Sequence, residues 1–236
     1  SPAADLGDIL VFAGPGAGKT LGALLGFSSM RREGHLDQFV VFCHRTSILE
    51  QWKQAAAGLG LSLEEWPCTN AAAKAADGLL VTYQGAGRQL KPLQQQLGQL
   101  QADRCMAIAD EAHHLGLDPE DPKAPAWGQT FQALTESFKL RVGLTGTPFR
   151  ADNLGFCAAR RIRIVQDGMV MEQIRPDLCV EPRDLIAAGD VRPLEFRFQD
   201  GWVEHSREGM PDRDVSPLSA EHRESWRARN LRRAIC

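Results

Sequence analysis

The chain has 236 residues, 43% of them hydrophobic and 24% charged, with a formal net charge of −3. This is the composition of an ordinary globular protein with room for a sizeable core, and it excludes overall charge as a reason for binding nucleic acid, so any such contact must come from a local patch. The cysteines form no C-x-x-C pair or disulfide framework, and no apolar run nears the ~18 residues of a membrane span, which points to a soluble protein of a reducing cytoplasm with no membrane partner.

The first predicted element is a strand at 9–12, Ile9-Leu10-Val11-Phe12, which runs into Ala13-Gly14-Pro15-Gly16-Ala17-Gly18-Lys19-Thr20. Glycines let successive N–H groups turn inward, a helix over 19–32 adds the positive end of its dipole, and the Lys19 ammonium can reach outer phosphates. Thr20 offers a hydroxyl to Mg²⁺. The stretch matches the phosphate-loop pattern G-x-x-x-x-G-K-[ST] except that Ala13 stands in its first position.

After a helix end at Gly34, the pattern predicts a strand at 38–43 and a helix at 46–58 ending at Gly58 or Gly60. The turn between them is His44-Arg45-Thr46-Ser47, in which Thr46 or Ser47 would cap the helix. Strands follow at 61–66 and 79–83, then a helix at 86–100. The second of these strands ends in Thr82-Tyr83-Gln84, where a hydroxyl, the only tyrosine and an amide suit phosphate or sugar contacts.

A buried-type strand at 105–109 leads to Asp110-Glu111-Ala112-His113-His114. Beside a phosphate loop, adjacent acids at a strand end suit two roles: Asp110 for the Mg²⁺ shell and Glu111 for the attacking water. No His or Cys cluster has the spacing of a structural zinc site. A helix at 128–138 and a strand at 140–144 complete the repeat, and that strand enters Thr145-Gly146-Thr147-Pro148-Phe149-Arg150. Alternation of strand and helix predicts an α/β domain with a mainly parallel sheet over 1–150. Residues 151–236 form an extension whose basic residues are all arginine, with strands at 162–165 and 191–198, a helix at 182–188 stopped by Gly189, a turn at Asp200-Gly201 and a helical pattern at 218–235.

Taken together and in this order, AGPGAGKT, HRTSILEQW, VTYQG, DEAH and GLTGTPFR resemble the motifs of the first motor domain of superfamily-two DNA and RNA helicases, in the DEAH-box branch that includes type III restriction-enzyme-like helicases. The resemblance implies a RecA-like P-loop NTPase fold, with ATP held by Gly14, Pro15, Gly16, Ala17, Gly18, Lys19 and Thr20. It implies hydrolysis by Lys19, Asp110 and Glu111, Mg²⁺ at Thr20 and Asp110, and coupling to motion through His113, Thr145, Gly146 and Thr147. Arg45, Thr46, Thr82 and Gln84 would face single- or double-stranded nucleic acid, DNA rather than RNA. A second motor domain, absent from these residues, would complete the ATP site. The motor part of a restriction system, and a nucleotide-dependent nucleic-acid-binding module without turnover, are the alternatives.

Overall fold

The computed structural model describes residues 7–115, 124–146, 160–166, 169–191, 203–205 and 213–215. A seven-stranded sheet, parallel throughout, dominates it in the order β3-β4-β2-β5-β6-β1-β9. Its strands are β1 (Asp8–Ala13), β2 (Gln38–Cys43), β3 (Leu63–Glu65), β4 (Gly78–Thr82), β5 (Cys105–Ala109), β6 (Leu140–Thr145) and β9 (Leu178–Val180). The helices between them are α1 (Lys19–Arg32), α2 (Leu49–Ala57), α3 (Asn70–Ala75), α4 (Tyr83–Arg88), α5 (Leu90–Leu97) and α6 (Ala124–Thr135), with α7 (Pro182–Ala188) after β9. This is the parallel α/β architecture expected from the alternation of strand and helix, and the RecA-like fold that the motif resemblance implies.

The central strands read as continuous apolar runs because both faces of the sheet are covered. Along β2, Val40 and Phe42 enter one core layer with Val81, Ala107 and Phe131. Phe39, Val41 and Cys43 enter the other with Leu24, Trp52 and Ile108. Gly78 is required where β4 starts, since a Cβ there would sit 2.7 Å from Leu63 and 2.8 Å from Phe39. Register brings the C-terminal ends of the strands to one edge: Phe12 lies opposite Thr145, Ala109 opposite Gly143, Phe42 opposite Ala109, and Cys43 opposite Thr82.

Three local expectations change. The predicted helix at 86–100 is two helices, α4 and α5, broken at Gln89. Pro92 has no N–H for the Arg88 carbonyl, and the Thr82 hydroxyl already caps α4 by accepting from Gly85 N at 3.0 Å. Neither Thr46 nor Ser47 is a helix cap, because a 3₁₀ turn at Thr46–Ile48 moves the cap positions to Arg45 and Ile48. The sheet also takes a strand from beyond residue 150: β9 pairs with β1, where Asp177 Oδ2 accepts from Leu10 N at 2.9 Å and Asp177 N donates to Leu10 O at 2.8 Å.

The helix predicted at 182–188 is α7, ended by Gly189 at φ 79°. The strand predicted at 162–165 lies within β7 (Arg160–Gln166), which pairs antiparallel with β8 (Met169–Arg175). The chain divides into two compact units, residues 1–192 and 193–236. In the second, β10 (Val203–His205) pairs antiparallel with β11 (Arg213–Val215). Thr147, Arg150, the Asp200-Gly201 turn, the strand predicted at 191–198 beyond Val191 and the helical pattern at 218–235 lie outside the described residues.

Candidate active site

The loop after β1 begins at buried Ala13 and Gly14 and opens to solvent at Pro15 and Gly16. Ala17 N closes a turn onto Gly14 O at 3.2 Å, while Gly16 and Gly18 hold φ of 80° and 73°, where a side chain would be strained. Gly18 is the N-cap of α1 and makes no side-chain cap bond, so the helix presents its first N–H groups at the loop. Lys19 Nζ folds over this loop, donating to Ala13 O at 3.0 Å and Gly14 O at 3.5 Å. Gly146 meets it from the end of β6: a Cβ there would lie 3.5 Å from Lys19 Nζ.

Asp110 and Glu111 follow β5 at the same edge. Asp110 is 7% exposed and accepts from Trp52 Nε1 at 3.0 Å and from Glu111 N at 3.1 Å. Burial pushes its carboxyl above the ordinary range, a tendency that the Trp52 N–H and the Lys19 charge oppose. Glu111 has φ 49°, an uncommon conformation for a side-chain-bearing residue, and this turns the chain sharply after the strand. Its carboxyl is held below the ordinary range, first by the hydrogen bond from His113, and against burial by the Lys19 charge and the Gly146 N–H. His113 Nδ1 lies 3.3 Å from both Glu111 Oε2 and Thr145 Oγ1.

These donors fit Mg²⁺. Among the described residues no group of three or more His, Cys, Asp or Glu side chains could hold a metal unaided. Magnesium bound to a nucleotide needs only one or two carboxylates beside water and phosphate oxygens. A carboxylate has about four acceptor sites. Asp110, with two donors on it, therefore keeps capacity for a cation, and Thr20 in the first turn of α1 supplies a hydroxyl.

At the far strands of the edge, Arg45 and Thr46 are exposed just after β2, and Gln84 is exposed just after β4. These strands are neighbours, so the predicted nucleic-acid residues lie together, while β5 and β6 stand between them and the phosphate loop. Thr82 is half-buried, and its hydroxyl is engaged in capping α4. Tyr83 does not belong to a ligand-facing set, because it is 2% exposed and its hydroxyl donates to Asp110 O at 3.0 Å.

The family model described as type III restriction enzyme, res subunit, matches residues 6–150. The chain belongs to this family. Its matched residues form the first motor domain of a superfamily-two helicase type. An uncharacterized protein of Mycobacterium leprae is 30% identical over 226 residues, and one of Mycobacterium tuberculosis is 29% identical over 228. Each alignment covers 93% of this chain and 36% of the relative, so the chain spans about a third of these relatives' length. Among solved structures, a Sulfolobus solfataricus SWI2/SNF2 ATPase core in complex with dsDNA is 24% identical with a TM-score of 0.46, covering 60% of this chain and 28% of that one. The bacteriophage T4 UvsW helicase is 16% identical with a TM-score of 0.42, covering 60% and 47%.

In this member of the res-subunit family, side chains to which the motifs assign no ligand role pack against the acid loop. Trp52, on the inner face of α2, reads in sequence as one position of an apolar stripe with Leu49 and Ala56. Its indole N–H, the polar handle of an otherwise apolar residue, is what reaches Asp110. His44, His114 and Trp127 form a ring cluster behind the acid loop: His44 stacks on His114 at 4.0 Å, and Trp127 lies 5.4 Å from His44. Among the described residues, no helix is long and apolar enough to cross a membrane.

Proposed function

We propose that this domain binds ATP with Mg²⁺ at the loop of residues 14–20 and hydrolyses it, as part of a longer translocase or helicase that moves along nucleic acid. The observation that carries the reading is the meeting of Lys19, Glu111, His113 and Thr145-Gly146, from segments that end or follow three separate strands, around one loop. Lys19 would exchange its carbonyl partners for outer phosphate oxygens. Glu111, ionised at neutral pH, would accept the proton of the attacking water while His113 and the Gly146 N–H fix its orientation. Bound Mg²⁺, held by Thr20 and Asp110, would neutralise phosphate charge. Because His113 touches Thr145 as well as Glu111, it would pass the state of the acid loop to the end of β6, in a coupling role shared with Gly146 and Thr147.

Arg45, Thr46, Thr82 and Gln84 would meet the phosphate backbone. We favour DNA over RNA because the family is described by a restriction enzyme, and the same description supports a second reading, the motor of a restriction system. ATP-dependent cleavage of duplex DNA by the full-length protein would separate that reading from simple translocation. Among the described residues, the basic side chains that lower the Asp110 or Glu111 carboxyl are Lys19 and His113. In the motor domains this chain resembles, an arginine from a second motor domain completes the site, and we infer the same source here, a contribution worth about 10³- to 10⁵-fold in P-loop enzymes.

Calorimetry with ATP and Mg²⁺ tests the site. Lys19→Ala should abolish measurable binding, and unchanged affinity would overturn the assignment. Glu111→Gln should keep binding while the full-length protein's turnover falls by about 10²-fold or more, since an amide cannot take the water's proton.

A further inference from the structure

Two strand-end loops carry the proposed nucleic-acid residues, and in each the chain-adjacent ring is attached to the acid loop. After β2, His44 directly precedes Arg45, and its imidazole lies flat on His114, with centroids 4.0 Å apart and planes 16° from parallel. After β4, Tyr83 stands between Thr82 and Gln84, and its buried hydroxyl donates to the Asp110 carbonyl at 3.0 Å. Trp127 of α6 joins the two, 5.4 Å from His44 and stacked 6.0 Å from Tyr83 at 14°. From His114 the contacts continue to His113 at 4.2 Å, and from there to Glu111 Oε2 at 3.3 Å.

We propose that His44, Tyr83 and Trp127 form an aromatic bracket through which nucleic acid on these two loops and ATP on the phosphate loop change each other's affinity. The proposal rests on the ligands assigned under Proposed function and adds the positioning residues that link them. Its physical basis is packing: Tyr83 and Trp127 are buried and His44 and His114 half-buried against them, so a backbone shift at Arg45 or Gln84 on meeting a phosphate would be felt by His44 or Tyr83 and passed to the turn of residues 110–114. Core filling alone would account for the rings. With the partner that a buried tyrosine hydroxyl needs, it would account for the Tyr83 bond as well, but not for both attachments falling next to exposed polar strand-end residues.

Coupling of this kind is reciprocal and typically about 5- to 150-fold. The test measures the affinity of the full-length protein for a fluorescent single-stranded oligonucleotide with and without a non-hydrolysable ATP analogue and Mg²⁺, then the reverse. Tyr83→Phe deletes only the hydroxyl, and His44→Ala deletes one ring. Each variant should bind either ligand alone within about twofold of the unmodified protein while the coupling factor falls to about 1 or 2, and His44→Phe should restore it by supplying a ring. Coupling that persists unchanged in both variants overturns the proposal. So does a loss that falls on the separate affinities instead. If the unmodified protein binds both ligands independently, the bracket fails and the functional reading survives; if it binds neither, the functional reading itself fails.

Discussion

Trp52 is fully buried, and its indole N–H is the side-chain donor that faces Asp110 Oδ2. Trp52→Phe keeps an aromatic ring but removes that donor from a desolvated carboxylate and leaves a void where the larger ring was. The expected loss of stability is about 2 to 4 kcal/mol, read as a lower urea midpoint at unchanged slope. A midpoint equal to that of the unmodified protein would show that the indole does not hold the charge. The case also shows which residues could be read without a structure. Lys19, Asp110 and Glu111 stand in motifs whose local pattern already places them beyond the ends of apolar strands. Trp52 acts on an acid 58 positions away, and nothing along α2 distinguishes it from a core residue. Tyr83 misled for the same reason: its neighbours in sequence are polar, but its hydroxyl points inward.

At the scale of elements, the β2, β4 and β5 strands were legible because burial on both faces demands nearly unbroken apolar runs. The β9 strand escaped, since its Leu178 and Cys179 are exposed and no such demand applies. Its place is fixed instead by Asp177, whose side chain and backbone bracket Leu10. A second carboxylate joins elements at the opposite edge of the sheet. Asp77, just before β4, accepts from Ser62 N and Ser62 Oγ ahead of β3 and pairs with Arg31 in the last turn of α1. Burial alone would raise its carboxyl, but the Ser62 donors and Arg31 outweigh this and hold it below the ordinary 3.8. With the folded value lowered, the contribution to stability is complete above the unfolded value and is lost as pH falls through the folded one. Asp77→Asn should therefore cost about 1 to 2 kcal/mol at neutral pH and progressively less as pH falls below the ordinary carboxylate range, which urea titrations from neutral into acid would measure. An equal cost at both ends would mean that the carboxylate's charge contributes nothing.

Across the whole sheet, the two core layers share the same strands, so they should unfold together. Cys43 lies in one layer and Cys105 in the other, and burial pushes both thiols up to about 12. Iodoacetamide at pH 8 should label exposed Cys179 and half-buried Cys68 in the native protein, and reach Cys43 and Cys105 only through global opening. The last two should then share one urea dependence by mass spectrometry, and labelling of either at lower urea would show that its layer opens separately. The strand order has a further consequence during synthesis. β1 precedes the other strands of the described sheet along the chain, yet its two neighbours are β6 and β9, the last two strands of that sheet to be made. At about 5 to 20 residues per second, β1 waits on the order of ten seconds for its first partner. By then β2, β4 and β5 are all available to pair, so the nascent sheet grows from its middle, and the glycine-rich loop after β1, though made before these strands, is enclosed among the last.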